Sequence, residues 1–151
     1  MNTATRPATW LLGTLCALLL SAAVQAEQMF SDQHYEIRYI AFNSTFVLPE
    51  VAEHHGITRS GNRALINVHI AEKQADGSSH AVAAELTGTT RNLLGQVQPI
   101  SFTKIDEGEA IYYIGEFRFS EEQNLTLELQ VRPDPARPPY QIRFQQTFYT
   151  D

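Results

Sequence analysis

Cysteine is the first scarcity to note: the chain has one, Cys16, and it lies inside an amino-terminal segment with the layout of a secretory leader. Arg6 gives that segment a positive start, Trp10 to Leu20 form an apolar run, and Ser21-Ala22-Ala23-Val24-Gln25-Ala26 is a small-residue stretch. The run fits the roughly 7–15 apolar residues of a signal peptide and falls short of the ~20 of a membrane span. Cleavage is expected between Ala26 and Glu27, leaving no stable membrane anchor. Leu15 before Cys16 departs from the small residue a lipoprotein signal carries there. The mature chain then has no cysteine, which excludes thiol catalysis, disulfide exchange and cysteine-ligated zinc or iron–sulfur sites. Export points to a compartment outside the cytoplasm, where this domain must be stable without disulfides.

Basic residues are also few. Eleven Lys and Arg stand against 17 Asp and Glu, and losing Arg6 takes the formal charge from −6 to about −7. Nucleic acid and anionic membrane surfaces need a basic patch, so neither is an expected partner. Methionine offers no copper site, because Met29 is the only one left after cleavage. Long hydrophobic runs are absent beyond the leader, as are internal repeats.

What the remainder does have is period-2 alternation punctuated by turn residues, which predicts strands. Seven are expected, near 35–41 (continuing, bent, into Phe42–Phe46), 64–71, 81–89, 97–105, 110–119, 125–131 and 140–149. Pro49 and Gly56 bracket one or two helical turns over about 50–55. Asp76-Gly77 marks a hairpin turn. Pro99 cannot donate a ladder hydrogen bond, so its strand is expected at an edge or with a bulge. On the 110–119 strand, Ile111, Tyr113, Phe117 and Phe119 share the apolar face, and Tyr112 joins Glu116 and Arg118 on the wetter one. The expected fold is all-β, a single two-sheet antiparallel sandwich of immunoglobulin-like design over 27–151, with a small closed barrel as the alternative.

Several stretches resemble a known family. Ala41-Phe42-Asn43-Ser44-Thr45-Phe46, Gly56-Ile57-Thr58-Arg59-Ser60, Ala64-Leu65-Ile66-Asn67-Val68, Asn92-Leu93-Leu94-Gly95-Gln96, Glu107 to Ile114 and Gln145-Gln146-Thr147-Phe148-Tyr149 together are similar to the domain of unknown function 4426, a family of Gram-negative exported proteins. The resemblance runs in order through most of the mature chain. It implies a periplasmic β-sandwich and implies no activity.

No nucleophile elbow, phosphate-cradling glycine loop or His-Glu-x-x-His helix is present; Thr58-Arg59-Ser60-Gly61 comes nearest to the first and does not match it. Enzymatic activity is not expected, and a cryptic hydrolase assembled from distant residues is the third reading. Glu53-His54-His55 is the most ligand-like run. Adjacent helical positions point about 100° apart, so only Glu50 and His54, at i and i+4, share a face and make half a site. His34, His69 and His80 would have to complete a small-ligand or metal carrier, the second reading. No cofactor is expected.

Sandwiches display binding residues on their loops, and two loops stand out. One is Asn43, Ser44, Thr45 and Phe46; the other is Asn92, Leu93, Leu94 and Gln96. The plainer account of the first is a bend satisfying its own backbone, and of the second, leucines folded back over the end of the core. The leading expectation is a non-enzymatic module that binds a protein or envelope component through such a surface. The sequence does not specify the partner's identity or the oligomeric state.

Overall fold

The computed structural model describes residues 26–151, so all but the last residue of the expected leader lies outside the described residues. Alternation became strands, as expected, packed as two antiparallel sheets. In chain order these are β1 (Gln28–Ser31), β2 (Tyr35–Asn43), β3 (Arg63–Lys73), β4 (Ser79–Ala81), β5 (Glu85–Asn92), β6 (Val97–Pro99), β7 (Ser101–Asp106), β8 (Ile111–Arg118), β9 (Gln123–Arg132) and β10 (Tyr140–Phe148). The first sheet runs β1-β2-β3-β8-β7, with β4 also pairing β3; the second runs β10-β9-β5-β6.

With the short β1, β4 and β6 set aside, the first, second, fifth and fourth strands share one sheet and the seventh, sixth and third share the other. That is the strand order of an immunoglobulin-type sandwich. The residues in the gap alternate as the sequence demands. Ile37, Ile66, Val68, Ile70, Leu127, Leu129 and Val131 are essentially sealed from solvent, and each such burial is worth about 1.5–3 kcal/mol. Aromatic rings join the sheets along β2 and β10, with Tyr39 and Phe144 at 5.0 Å and Tyr35 and Tyr140 at 5.9 Å between centroids.

Ten strands replace the expected seven for two reasons. β1 is too short to show alternation and exists because it pairs β2, Gln28 opposite Tyr39 through Ser31 opposite Glu36. The other extra strands come from chain crossings. The strand expected over 81–89 breaks between Ala81 and Glu85: the Val82 amide still bonds Ile70 of the first sheet at 3.0 Å, and the chain then enters the second sheet. The strand expected over 97–105 breaks at Ile100, whose amide bonds the Gly88 carbonyl at 2.9 Å before β7 joins β8. Alternation continues across both crossings while the pairing partner changes. Pro99 sits on β6, which pairs only with β5 and is the edge of its sheet.

The crossing at 100–102 fits because two strands carry glycine there. A Cβ at Gly115 of β8 would lie 2.6 Å from the Phe102 ring, and one at Gly88 of β5 would lie 3.1 Å from it. The ring therefore occupies space that both sheets leave open. Tyr113 is buried on the core face, and its hydroxyl accepts the Ala84 amide at 2.8 Å, anchoring the other crossing.

Between β2 and β3 the chain makes a 3-10 turn (Ser44–Phe46) and helix α1 (Pro49–His55). Pro49 opens the helix, and Gly56 closes it at φ 67°, a conformation glycine adopts without steric cost.

Candidate functional site

One end of the sandwich gathers the β2–β3 connection, the β5–β6 hairpin, the β8–β9 turn and the residues after β10. The pairings Asn43 with Ala64, Ala64 with Phe117, Asn92 with Leu125 and Gln123 with Phe148 align them. Asn43 Nδ2 donates to the Tyr149 carbonyl at 2.8 Å, locking the two sheets together there. Both loops singled out from the sequence lie at this end.

The first loop divides into an inner and an outer part. Asn43 and Ser44 are buried, so they are not part of an exposed surface. Ser44 Oγ donates to the Ser60 carbonyl at 3.0 Å and accepts the Ser60 amide at 2.9 Å, closing the long connection on itself. Thr45 donates to the Asp151 carboxylate, while Arg59 donates to the Thr45 carbonyl at 3.1 Å. The Thr45 bond first, and Asn43 second, hold the Asp151 carboxyl below its ordinary range. Phe46 points outward and is 72% exposed.

In the second loop the polar residues build the turn and the leucines project from it. Asn92 Oδ1 accepts the amides of Leu94 and Gln96 at 3.1 and 2.9 Å, and its Nδ2 donates to Gln96 Oε1 at 2.7 Å. Gly95, at φ 80°, completes the reversal. Leu93 and Leu94 are 82% and 85% exposed and do not fold back over the core. This hairpin holds two apolar side chains in water at a fixed place.

They have company. Among the described residues, the exposed large apolar side chains are Phe46, Leu48, Val51, Leu93, Leu94, Val97, Tyr149 and Met29, and all but Met29 lie at this end. Scattered exposed leucines need no explanation, whereas here the exposed apolar groups are concentrated at one end. Between the leucine hairpin and the β2–β3 connection runs an open cleft of about 340 Å³, lined by Asn62, Thr90, Asn92, Gln96, Gln98, Arg118 and Gln123 among others, with no carboxylate. A second depression of about 190 Å³ adjoins it under Leu93 and Leu94 and shares Asn92, Ser120 and Gln123 with it. Sequence reasoning found Asn92 and Gln96 but missed Asn62, Gln98, Arg118 and Gln123. No local pattern joins those four, and only the topology brings them to one cleft.

The remaining candidates do not converge. Glu50 and His54 are exposed on α1, where the His54 and His55 rings meet edge-on at 4.8 Å. His69 lies midway along β3, its Nδ1 2.9 Å from the Ile111 carbonyl, with its ring 5.5 Å from that of Tyr112. His80 lies beside Glu72 toward the opposite end, 3.3 Å away. Among the described residues no three His, Cys, Asp or Glu side chains are grouped to hold a metal. Ser60 Oγ donates to Asn62 Oδ1 at 2.8 Å.

A sandwich of this topology with a built loop end is the architecture, and the comparisons supply the family. The family model described as "Domain of unknown function (DUF4426)" matches residues 29–151, and the chain belongs to that family. A crystal structure of a DUF4426 family protein from Pseudomonas aeruginosa is similar at a TM-score of 0.71 and 30% identity, covering 85% of this chain and 98% of that one. Two structures of FetP from uropathogenic Escherichia coli share the fold at 10% identity. One is a copper-bound variant (TM-score 0.55, 83% of this chain and 96% of that one). The other is the protein as isolated after recombinant expression in the periplasm (TM-score 0.51, 83% and 95%). No curated protein matches. No helix among the described residues is long and apolar enough to cross a membrane.

Proposed function

We propose that this DUF4426 protein is a non-catalytic periplasmic module that docks a protein or envelope component through the loop end of its sandwich. One observation carries the reading: seven of the eight exposed large apolar side chains among the described residues lie at that end, around an amide-lined cleft. Exposed apolar groups held on a hydrogen-bonded hairpin lose little freedom on binding, which favours a stable complex. The leader-like sequence of residues 1–26 supports export. The polar side chains at the cleft are amides, hydroxyls and one guanidinium, which recognise by hydrogen bonding and include no histidine or carboxylate to act as a base.

The experiment is site-specific photocrosslinking in intact Gram-negative cells, with the photoreactive residue placed at Leu93 or, as a control at the opposite end, at Ala75. A reproducible adduct from position 93 only, lost in L94S, is the expected result. Equal labelling from both ends, or none from position 93, refutes the docking role.

A further inference from the structure

Arg63 on β3 and Arg118 on β8 are directly opposite each other in the first sheet. Side chains at opposed positions of an antiparallel pair emerge on the same face within about 5 Å at Cβ, and like charges placed so destabilise the sheet. Glu116 neutralises only one of the two: its Oε2 lies 3.4 Å from Arg63 Nη1. Among the described residues Arg118 makes no ion pair and no side-chain hydrogen bond, although the chain as a whole is acidic. Its position is specific. Arg118 and Gln98 line both the amide-lined cleft and a further open depression of about 370 Å³ beside β6 and β7, which also holds Arg63 and Glu116.

We infer that Arg118 reads a carboxylate on an extended peptide segment of the docked partner, laid through the cleft from the leucine hairpin toward β6. The inference rests on the docking role proposed above and adds the chemistry of the occupant. Charge complementarity places an anion in the cleft, whose lining holds one cation and no carboxylate, and not under the leucines, where Glu121 and Glu122 line the adjoining depression. The neighbouring side chains select a peptide. Among the described residues the Gln98 side chain makes no hydrogen bond and offers both the donor and the acceptor that a peptide backbone needs, and Nε2 of Gln96 and of Gln123 each offers a donor, whereas the one aromatic residue of the lining, Phe119, is buried and gives a sugar ring nothing to stack on.

The test uses the full chain and R118Q, whose exposed side chain has no structural partner to lose. Removing the like-charge opposition should raise the melting temperature by about 1–2 °C, so loss of binding cannot be ascribed to misfolding. Two probes are titrated by heteronuclear NMR: acetylated, amidated Leu-Ala-Glu-Ala-Leu and its Gln analogue. The Glu peptide should shift the cleft amides and bind about fivefold tighter than the Gln peptide, and R118Q should erase that difference. Equal binding of the two peptides, or an unchanged preference in R118Q, overturns the inference. Binding of R118Q-sensitive phosphatidylglycerol vesicles without the peptide preference overturns it in favour of a lipid surface. A photoreactive residue at Gln98 separates the two levels of failure. Adducts that persist unchanged in R118Q leave the docking end standing and remove carboxylate recognition, and absence of adducts from both 93 and 98 removes both.

Discussion

Replacing Gly115 by alanine tests the packing that lets the chain cross between sheets. The new Cβ would lie 2.5 Å from Ile100 Cγ2, 2.6 Å from Phe102 Cε1 and 2.9 Å from Ile66 Cγ2. Carbon atoms pack at about 3.5–4.0 Å, so three contacts overlap by roughly 1 Å, and Ile66 is sealed in the core with no room to retreat. Overpacking of this degree costs about 1–3 kcal/mol, while removing a glycine from a strand returns about 0.5–1 kcal/mol. Three simultaneous overlaps put the cost in the upper half of that range, so the net is a loss of about 1–2.5 kcal/mol, read as a lower urea midpoint at constant slope. Gly88 faces the same ring from the other sheet at longer range, 3.1 Å, with Leu129 Cδ2 at 2.9 Å, so G88A should cost about half as much. Shortening Phe102 to leucine should relieve part of the G115A cost, giving a coupling of about 0.5–1 kcal/mol in a double-mutant cycle. G115A at or above the stability of the parent, or strict additivity with F102L, would refute this account of the crossing.

Ser44→Ala should lower stability by about 1–2 kcal/mol, because it orphans the amide of Ser60, whose carbonyl keeps only the Arg63 amide at 3.1 Å, and amide exchange at 57–60 should quicken; unchanged exchange there would contradict the clamp. At the opposite end, burial would raise the Asp32 carboxyl, but hydrogen bonds from the Tyr140 hydroxyl and the Tyr35 and His34 amides outweigh it and hold it below its ordinary range. Its stabilisation is therefore present above about pH 4, the unfolded value, and is lost as pH falls through the depressed folded value. Burial first, then the bond to Asp32, pushes the Tyr140 phenol up to about 12, so its contribution is complete below about pH 10 and is lost as pH rises through 12. Tyr140→Phe should flatten both limbs of the stability profile measured by thermal melts, and an acid limb identical to the parent's would rule out the pairing.

Alternation along Ile66-Asn67-Val68-His69-Ile70 and Leu125 to Val131 was readable because a strand buried on one face must place apolar side chains at every second position. Tyr113 could be assigned to the core on the same ground. The helix bounded by Pro49 and Gly56 was equally legible, since both residues act through local backbone geometry. The candidate site was legible only in part. Asn43 and Ser44 have the composition of a binding loop but are buried, because the residues after β10 and the Ser60 segment close over them.

The sequence by itself determined which residues face inward, where turns interrupt the strands and that the fold is all-β, because these follow from side-chain period and from glycine and proline backbone limits. Tertiary structure alone decided which strands pair and where the chain changes sheets at Val82–Ala84 and Ile100. It also decided that Asn62, Asn92, Gln98, Arg118 and Gln123 line one cleft. Period-2 alternation looks the same whichever sheet a strand joins, and a site assembled from five separate segments leaves no mark in any one of them.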